Sequence, residues 1–256
     1  MAKGMYLYGI VRAGRPIGPG QTGVGEPAVP VETLEEGSVA AVISRLDSDQ
    51  ELSILRDTRA HQRVLEDVLR EGTVLPVSFG TVASGGDSVR RLLRTRAAEW
   101  LRVLADMDDK IEVGVKVFWE KEAVIKELAP RWGNIEELGR KAAKDGAEAQ
   151  RLGMNVGKAV ADLLEQWKNT HLARATKTLE RGAVAARYND TIGVRMLMNA
   201  AYLIKRDDVP AFERVVYDID RELGSRMRFH LVAPLPAYNF INVRLRPEEV
   251  EQLVRE

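Results

Sequence analysis

The sequence predicts an α+β fold in two domains, because the chain carries both strand and helix periodicities. Residues 111–119 alternate between apolar and polar side chains, which is typical of a half-buried antiparallel strand. Residues 88–107 instead repeat apolar side chains at the spacing of an amphipathic helix. The polar run 106–110 separates the two patterns. We place the domain boundary there, which gives domains at 1–110 and 111–256.

Composition and charge narrow the class of protein. The 256 residues are 45% hydrophobic and 30% charged, as in soluble globular proteins. Lys+Arg and Asp+Glu are both 38, so no net field favours nucleic acid or a lipid membrane, and self-association is not opposed by charge. The chain has no cysteine, which excludes disulfides and thiolate zinc sites. No apolar run approaches roughly 18 residues and no signal-peptide core opens the chain, so we expect a cytoplasmic protein.

The N-terminal half predicts strands at 5–12 and 38–46 and helices at 49–71 and 88–107. Between the strands, residues 13–30 are rich in Gly and Pro, and Gly18 to Gly23 fit the spacing G-x-G-x-x-G. That dinucleotide motif needs a helix immediately after it, yet Pro27 and Pro30 follow. We therefore expect a flexible connection here and no cofactor.

The stretch 61–82 reads as the end of a helix, a stop and a strand. Gly72 stands where a left-handed residue ends helices. In the predicted strand 73–82, Leu75, Val77 and Phe79 share one face, which places Phe79 in the core and Ser78 outside it. Pro76 cannot donate to a ladder, so we expect an edge strand or a bulge.

The C-terminal half predicts a short helix at 121–129 ended by Pro130 and a helical tract at 134–186, either one helix or a hairpin. Its glycines at 139, 146 and 153 indicate either close packing against another helix or a soft tract that orders on assembly. A β-α-β unit follows, with a strand at 196–204, a helix from Asp208 to Gly224 and a strand from Met227. This arrangement suggests ferredoxin-like packing. A last strand is expected to bury Ile241, Val243 and Leu245, before a terminal helix that starts at 246–249.

No catalytic or metal-binding pattern is found. The histidines, His61, His171 and His230, lack the spacings H-x-x-x-H and H-E-x-x-H. His61 shares its helical face with apolar residues, so we interpret it as a hydrogen-bonded packing residue, with a catalytic base as the alternative. The basic face of helix 88–107 is either paired with nearby acids or a docking face for an acidic partner, and its residues are Arg90, Arg91, Arg94 and Arg102.

Three segments carry a resemblance. The first segment consists of His61, then Val64-Leu65-Glu66, then Val74-Leu75-Pro76-Val77-Ser78-Phe79-Gly80-Thr81-Val82. It resembles a motif of the gas vesicle protein F/L family (GvpF/GvpL). The opening Tyr6-Leu7-Tyr8-Gly9-Ile10-Val11 is similar to that family's first strand, and Ala233-Pro234-Leu235-Pro236-Ala237-Tyr238-Asn239-Phe240 to its late motif. Ser78 stands where the family usually has Arg. Ala233, Leu235 and Ala237 stand where it has Gly, Trp and Pro.

The resemblance implies a two-domain α+β protein with a ferredoxin-like N-terminal domain. It further implies a non-enzymatic minor structural or assembly protein of gas vesicles, whose partners are the main shell protein and other accessory proteins. The family-motif residues with a structural role would be His61, Leu75, Pro76, Phe79, Gly80 and Thr81. The alternative is a soluble enzyme or small-ligand module on the same scaffold, since that scaffold hosts many functions.

The late motif also supplies a candidate contact surface. Tyr238 and Phe240 share the parity of Asn242 and Arg244 in the predicted last strand, and exposed aromatic residues tend to mark contacts. A second layer of structure covering both rings is the competing interpretation. The candidate protein-contact residues are Pro234, Leu235, Pro236, Tyr238 and Phe240.

Overall fold

The structure is a computed structural model that describes residues 4–15, 17–18, 20–47, 52–124, 126–128, 130, 146–193 and 195–241, with main chain alone at 146–157 and 160. The fold is α+β with two antiparallel sheets, as the sequence predicts. The predicted terminal helix, Val243 and Leu245 lie outside the described residues.

The first sheet has the strand order β2-β3-β1-β4, and β5 also pairs with β1. Its strands are β1 (Gly4–Arg12), β2 (Glu32–Glu36), β3 (Val39–Leu46), β4 (Leu75–Pro76) and β5 (Val82–Ala83). The central strand, β1, is buried from Met5 to Val11, so both of its faces are covered. A register shift between Leu7 and Gly9 places a bulge at Tyr8 in the ladder with β3.

Two helices accompany this sheet, α1 (Ile54–Glu71) and α2 (Gly86–Asp106), which confirms both predicted helices. Gly72 ends α1 as predicted, but its φ of 158° and ψ of −164° are not left-handed helical values. The Arg15 guanidinium occupies the space that a Cβ at Gly72 would fill, and its Nη1 donates to the Glu71 carbonyl at 2.9 Å.

The continuous strand predicted at 73–82 is wrong. Only Leu75–Pro76 and Val82–Ala83 are strands, and the chain turns between them, with Thr81 N donating to the Ser78 carbonyl and Gly80 at a φ of 85°. Phe79 is consequently half-buried rather than in the core, while Ser78 is exposed as expected. β4 is the last strand in the order β2-β3-β1-β4, so Pro76 lies in an edge strand, as predicted.

The second sheet has the order β7-β8-β6-β9. Its strands are β6 (Lys110–Trp119), β7 (Ala185–Tyr188), β8 (Met196–Lys205) and β9 (Met227–Leu235). β6 buries Ile111, Val113, Val115 and Val117 as predicted. Glu112, expected on the polar side, is also buried. β7 was missed, because the helical tract predicted at 134–186 covered its first two residues and no strand was predicted after it.

Two helices lie in this part of the chain, α3 (Gly146–Arg181) and α4 (Val209–Leu223). Within the described residues the tract is one helix, which holds Gly146 and Gly153, and Gly139 lies outside them. Helical residues also occur at 121–124, 126–128 and 130, and because the residues that follow lie outside those described, the stop at Pro130 stays a prediction. α4 begins after Asp208 and buries Phe212 and Val216, as its apolar stripe predicts.

The chain divides into two compact units. The first contains 1–113, 205–207 and 233–256, and the second contains 114–204 and 208–232. The first therefore includes two late segments that the sequence placed in the second domain. The division at 110/111 stays a prediction. Within the first unit, residues 238–240 form a turn, so the last strand was wrongly predicted there.

Candidate functional site

A cavity of about 510 Å³ lies in the first unit. Its walls come from α1, from β4 and the turn after it, and from the end of β9 and the segment that follows it. From the first two come Thr58, His61, Gln62, Pro76, Val77, Ser78 and Phe79, and from the last come Leu235, Tyr238 and Ile241. Two motifs that are far apart in the sequence thus line one cavity.

His61, on α1, lines one wall of the cavity, which we call the inner wall. Hydrogen bonds hold its side chain in place. The Tyr6 hydroxyl lies 2.8 Å from His61 Nδ1 and accepts from the Gly80 main-chain nitrogen at 3.2 Å. Burial lowers the pKa of His61 to about 4, although a hydrogen bond at the Val77 backbone opposes that shift. His61 is therefore neutral near pH 7, and its burial and hydrogen bonds support the packing interpretation, which stays a prediction.

The aromatic rings around His61 form one cluster. Tyr8 stacks on the imidazole at 5.5 Å between ring centroids, and Phe79 meets it edge-on at 5.8 Å. Tyr6 contacts both Tyr8 and Phe79, at 4.8 and 6.2 Å. Such tilted and edge-to-face pairs add to the stabilisation from burial alone. Phe79 is the member of this cluster that lines the cavity.

A relay of hydrogen bonds fixes the Gly-rich loop to the sheet. Val24 N donates to the Tyr8 hydroxyl at 2.9 Å, that hydroxyl lies 2.9 Å from Ser44 Oγ, and Ser44 donates to the Pro30 carbonyl at 2.8 Å. Since Ser44 uses its proton on Pro30, Tyr8 is the donor to Ser44. A Cβ at Gly23 would lie 1.8 Å from the Tyr8 hydroxyl oxygen. This part of the loop is held by the core rather than flexible.

Asp57 holds the same loop from the first turn of α1. It accepts from Gly25 N at 2.9 Å and from Ser53 N at 2.6 Å, and Arg56 Nη2 lies 3.0 Å away. Burial opposes ionisation of this carboxyl, but the bonds from Arg56, Gly25 and Ser53 keep its pKa below the usual value. The sequence does not single out Asp57, because a single acid in a first helical turn is an ordinary capping feature.

The opposite wall of the cavity, which we call the outer wall, includes Tyr238 and Ile241 from the turn at 236–241. Phe240 N and Ile241 N both donate to the Ala237 carbonyl, at 3.1 and 2.9 Å. Asn239 donates twice to Glu112, from N to Oε2 at 2.8 Å and from Nδ2 to Oε1 at 2.6 Å. The turn is therefore fastened to β6 by both oxygens of one carboxylate.

Of the residues at this site, Glu112 is the one whose role the sequence indicates least. It is 2% exposed, and burial raises its pKa, while the bonds from Asn239 act in the opposite direction. The alternation along β6 assigns it to solvent. Nothing local to Glu112 signals its bond to Asn239, because the partner lies 127 residues away.

The candidate contact residues differ in exposure. Pro234 is exposed and Tyr238 is 39% exposed, Leu235 and Phe240 are half-buried, and Pro236 is buried. Of the motif residues, His61, Pro76 and Phe79 line the cavity. The other three support it: Leu75 is buried opposite Ile10, Gly80 bonds Tyr6, and Thr81 donates from Oγ1 to the Ser78 carbonyl at 2.8 Å.

Other candidates from the sequence are accounted for by local contacts. Arg94 pairs with Glu36 at 2.8 Å and Arg90 donates to the Glu35 carbonyl at 3.4 Å, which supports the paired interpretation of the basic face. His171 lies 3.3 Å from Glu127, and His230 is exposed. Among the described residues, no group of three or more His, Asp or Glu is placed to hold a metal ion. In the same part of the chain, no helix is both long and apolar enough to span a bilayer.

The family model described as gas vesicle synthesis protein GvpL/GvpF matches residues 4–242. The chain belongs to the GvpL/GvpF family. This GvpL/GvpF protein is 31% identical over 241 residues to gas vesicle protein F of Streptomyces sp. (strain CB03234), across 92% of this chain and 98% of that relative. Gas vesicle protein L of the same strain is 30% identical over 256 residues, across 93% and 92% of the two chains.

Solved structures agree on the fold. The crystal structure of gas vesicle protein GvpF from Microcystis aeruginosa has a TM-score of 0.74 at 25% identity and covers 94% of this chain and 99% of its own. That of GvpF from Anabaena sp. PCC7120 has a TM-score of 0.76 at 24% identity, with 95% and 98% coverage. This GvpL/GvpF family member is thus a gas vesicle-associated protein. Its similar identity to an F and an L protein does not assign it to either type.

Proposed function

We propose that the protein is a non-enzymatic accessory of gas vesicle formation in the cytoplasm, which binds the main shell protein or other accessory proteins. One observation carries this proposal. The late motif and the His61–Thr81 motif meet at one cavity, and the rim of that cavity presents the Tyr238 ring to solvent. A partly exposed aromatic ring beside a cavity is a common feature of protein–protein contacts.

The contact residues also require little ordering before a partner binds. Both Glu112 oxygens hold Asn239, and the Ala237 carbonyl accepts from two later main-chain nitrogens. A surface that is already rigid loses less conformational entropy on association. These bonds support the assignment of Tyr238 and its neighbours as a contact surface.

The test is co-expression of the protein with the shell protein, followed by affinity capture. The double variant Tyr238→Ala/Phe240→Ala should keep its Tm within a few degrees and capture at least about tenfold less shell protein. Tyr217→Ala is the matched control, because Tyr217 is 76% exposed on α4 and is not among the residues that line the cavity. Normal capture by the folded double variant would move the interface elsewhere. Unfolding of that variant would show that the two rings are structural.

The second candidate, a small-ligand module, is favoured by the cavity volume. A volume of about 510 Å³ lies within the range of small-molecule sites. Native mass spectrometry of the purified protein separates the two functions. A stoichiometric small molecule that Thr58→Trp displaces would favour the ligand module over the accessory function.

A further inference from the structure

We propose that the cavity is a socket for one large, uncharged, apolar side chain presented by a segment of a gas vesicle partner protein. This inference rests on the proposed function, since it specifies how the partner is held. It assigns the cavity itself, rather than the outer surface of the 236–241 turn, as the centre of the interface.

The walls of the socket are mainly apolar. Of the lining residues, Val77, Pro76 and Ile241 are buried, and Phe79 and Leu235 are half-buried. The polar side chains Thr58, Gln62 and Ser78 are exposed at the rim. An apolar interior with a polar rim is the arrangement found around the anchor residues of protein interfaces.

The charge of the lining selects a neutral occupant. Among the described residues that line the cavity there is no Asp, Glu, Lys or Arg. The imidazole of His61 is committed to two protein hydrogen bonds, to the Tyr6 hydroxyl and to the Val77 backbone. A charged side chain that entered would lose its water and find no charged lining residue to pair with, which is unfavourable. An uncharged apolar side chain has no such cost and gains from leaving water.

The socket is also preformed. Its inner wall is held by the Gly80–Tyr6–His61 bonds and its outer wall by the Glu112–Asn239 pair. The Phe79 ring already meets the His61 ring edge-on, at 87° between planes. Preformed apolar pockets with a few placed polar groups are the usual binding sites for compact apolar groups.

The experiment fills the socket from its rim. Thr58→Trp places a large side chain at an exposed lining position, and Thr95→Trp makes the same substitution at an exposed position of α2 outside the cavity. Each protein is tested for capture of co-expressed shell protein. Each is also titrated against 4-fluorotoluene, whose ¹⁹F resonance broadens when it binds.

We expect Thr58→Trp to capture shell protein at least about tenfold more weakly and to abolish the ¹⁹F broadening, with Thr95→Trp unchanged from wild type in both. Equal broadening by the two variants would overturn the socket, and so would equal capture by both variants of a shell protein that wild type captures. If wild type captures no gas vesicle protein but the ¹⁹F contrast persists, the proposed function fails and the apolar socket stands.

Two further variants keep the result decisive. Should Thr58→Trp not fold, Gln62→Trp fills the same rim from another exposed position. Because the chain has no cysteine, Ser78→Cys can also carry a single benzophenone label, with Thr95→Cys as its control. A crosslink from position 78 to an apolar residue of the partner supports the socket. A crosslink confined to charged residues contradicts it.

Discussion

Glu112 accepts two hydrogen bonds from Asn239, a residue 127 positions later in the chain, at 2.8 Å from the main-chain nitrogen and at 2.6 Å from Nδ2. The pair fastens the turn at 236–241 to β6, within the first unit. A carboxylate that is 2% exposed costs free energy to bury, so its retention here depends on both bonds.

Glu112→Ala should therefore destabilise the protein and loosen the turn. The loss of bonds to a buried charged group is expected to lower the free energy of unfolding by about 1.5–3 kcal/mol. Amide exchange at 237–241 should accelerate more than exchange in β1. Glu120→Ala is the control, since Glu120 pairs with exposed Arg228 and should cost no more than about 1 kcal/mol. Equal losses for both variants would show that the buried pair does not stabilise the turn.

Acid should destabilise the protein through His61. Its pKa falls from 6.5 in the unfolded chain to about 4 in the folded protein, so the folded state binds fewer protons between these values. The stability that neutral His61 contributes is complete above pH 6.5 and is lost as pH falls through 4. The total is on the order of 3 kcal/mol.

Urea denaturation of wild type and His61→Gln at pH 7, 5 and 4 measures this contribution. Glu112 has the opposite effect on stability. Because its pKa is raised in the folded protein, its contribution to the free energy of unfolding increases as the pH falls. The difference between wild type and His61→Gln cancels the Glu112 contribution. A difference that stays constant with pH would contradict a depressed histidine pKa.

Leu75→Ala should cost more than Phe79→Ala. Leu75 is fully buried opposite Ile10, and its truncation should cost about 2–5 kcal/mol. Phe79 is half-buried, so its truncation should fall below the roughly 3–5 kcal/mol of a fully buried Phe. Ser78→Arg is exposed and should change stability by less than about 0.5 kcal/mol. Denaturant melts with the reverse order would mean that Phe79 is core after all.

Gly23→Ala should be strongly destabilising, while Gly18→Ala should not. A Cβ at Gly23 would lie 1.8 Å from the Tyr8 hydroxyl oxygen and 3.1 Å from Ser44 Oγ, and would break the relay that holds the loop. At Gly18 nothing lies within 4 Å of an added Cβ. Thermal melts of the two variants make the comparison. Equal Tm values would show that the loop can move away from Tyr8.

The sequence predicted those elements whose burial is one-sided and regular. β6, α2 and α4 each follow one periodicity, so their apolar stripes identify both the element and its buried face. The prediction failed at 73–82 because Pro76 interrupts the ladder and Gly80 turns the chain, although the side chains alternate. β7 is only four residues long and directly follows a long helix, so it offers no pattern of its own.

The candidate site could be predicted only in part. The motif resemblance located both wall segments, but not that they meet, because that contact depends on tertiary packing across most of the chain. Tyr6 and Tyr8 did carry a usable signal. Two tyrosines two residues apart in a buried strand need partners for their hydroxyls. Their partners, His61 and Ser44, belong to elements that the sequence had already assigned.

The cavity draws one wall from residues 58–79 and the other from residues 235–241. During translation, the first wall leaves the ribosome long before the second has been synthesised. The cavity therefore acquires its second wall only when synthesis has passed Ile241.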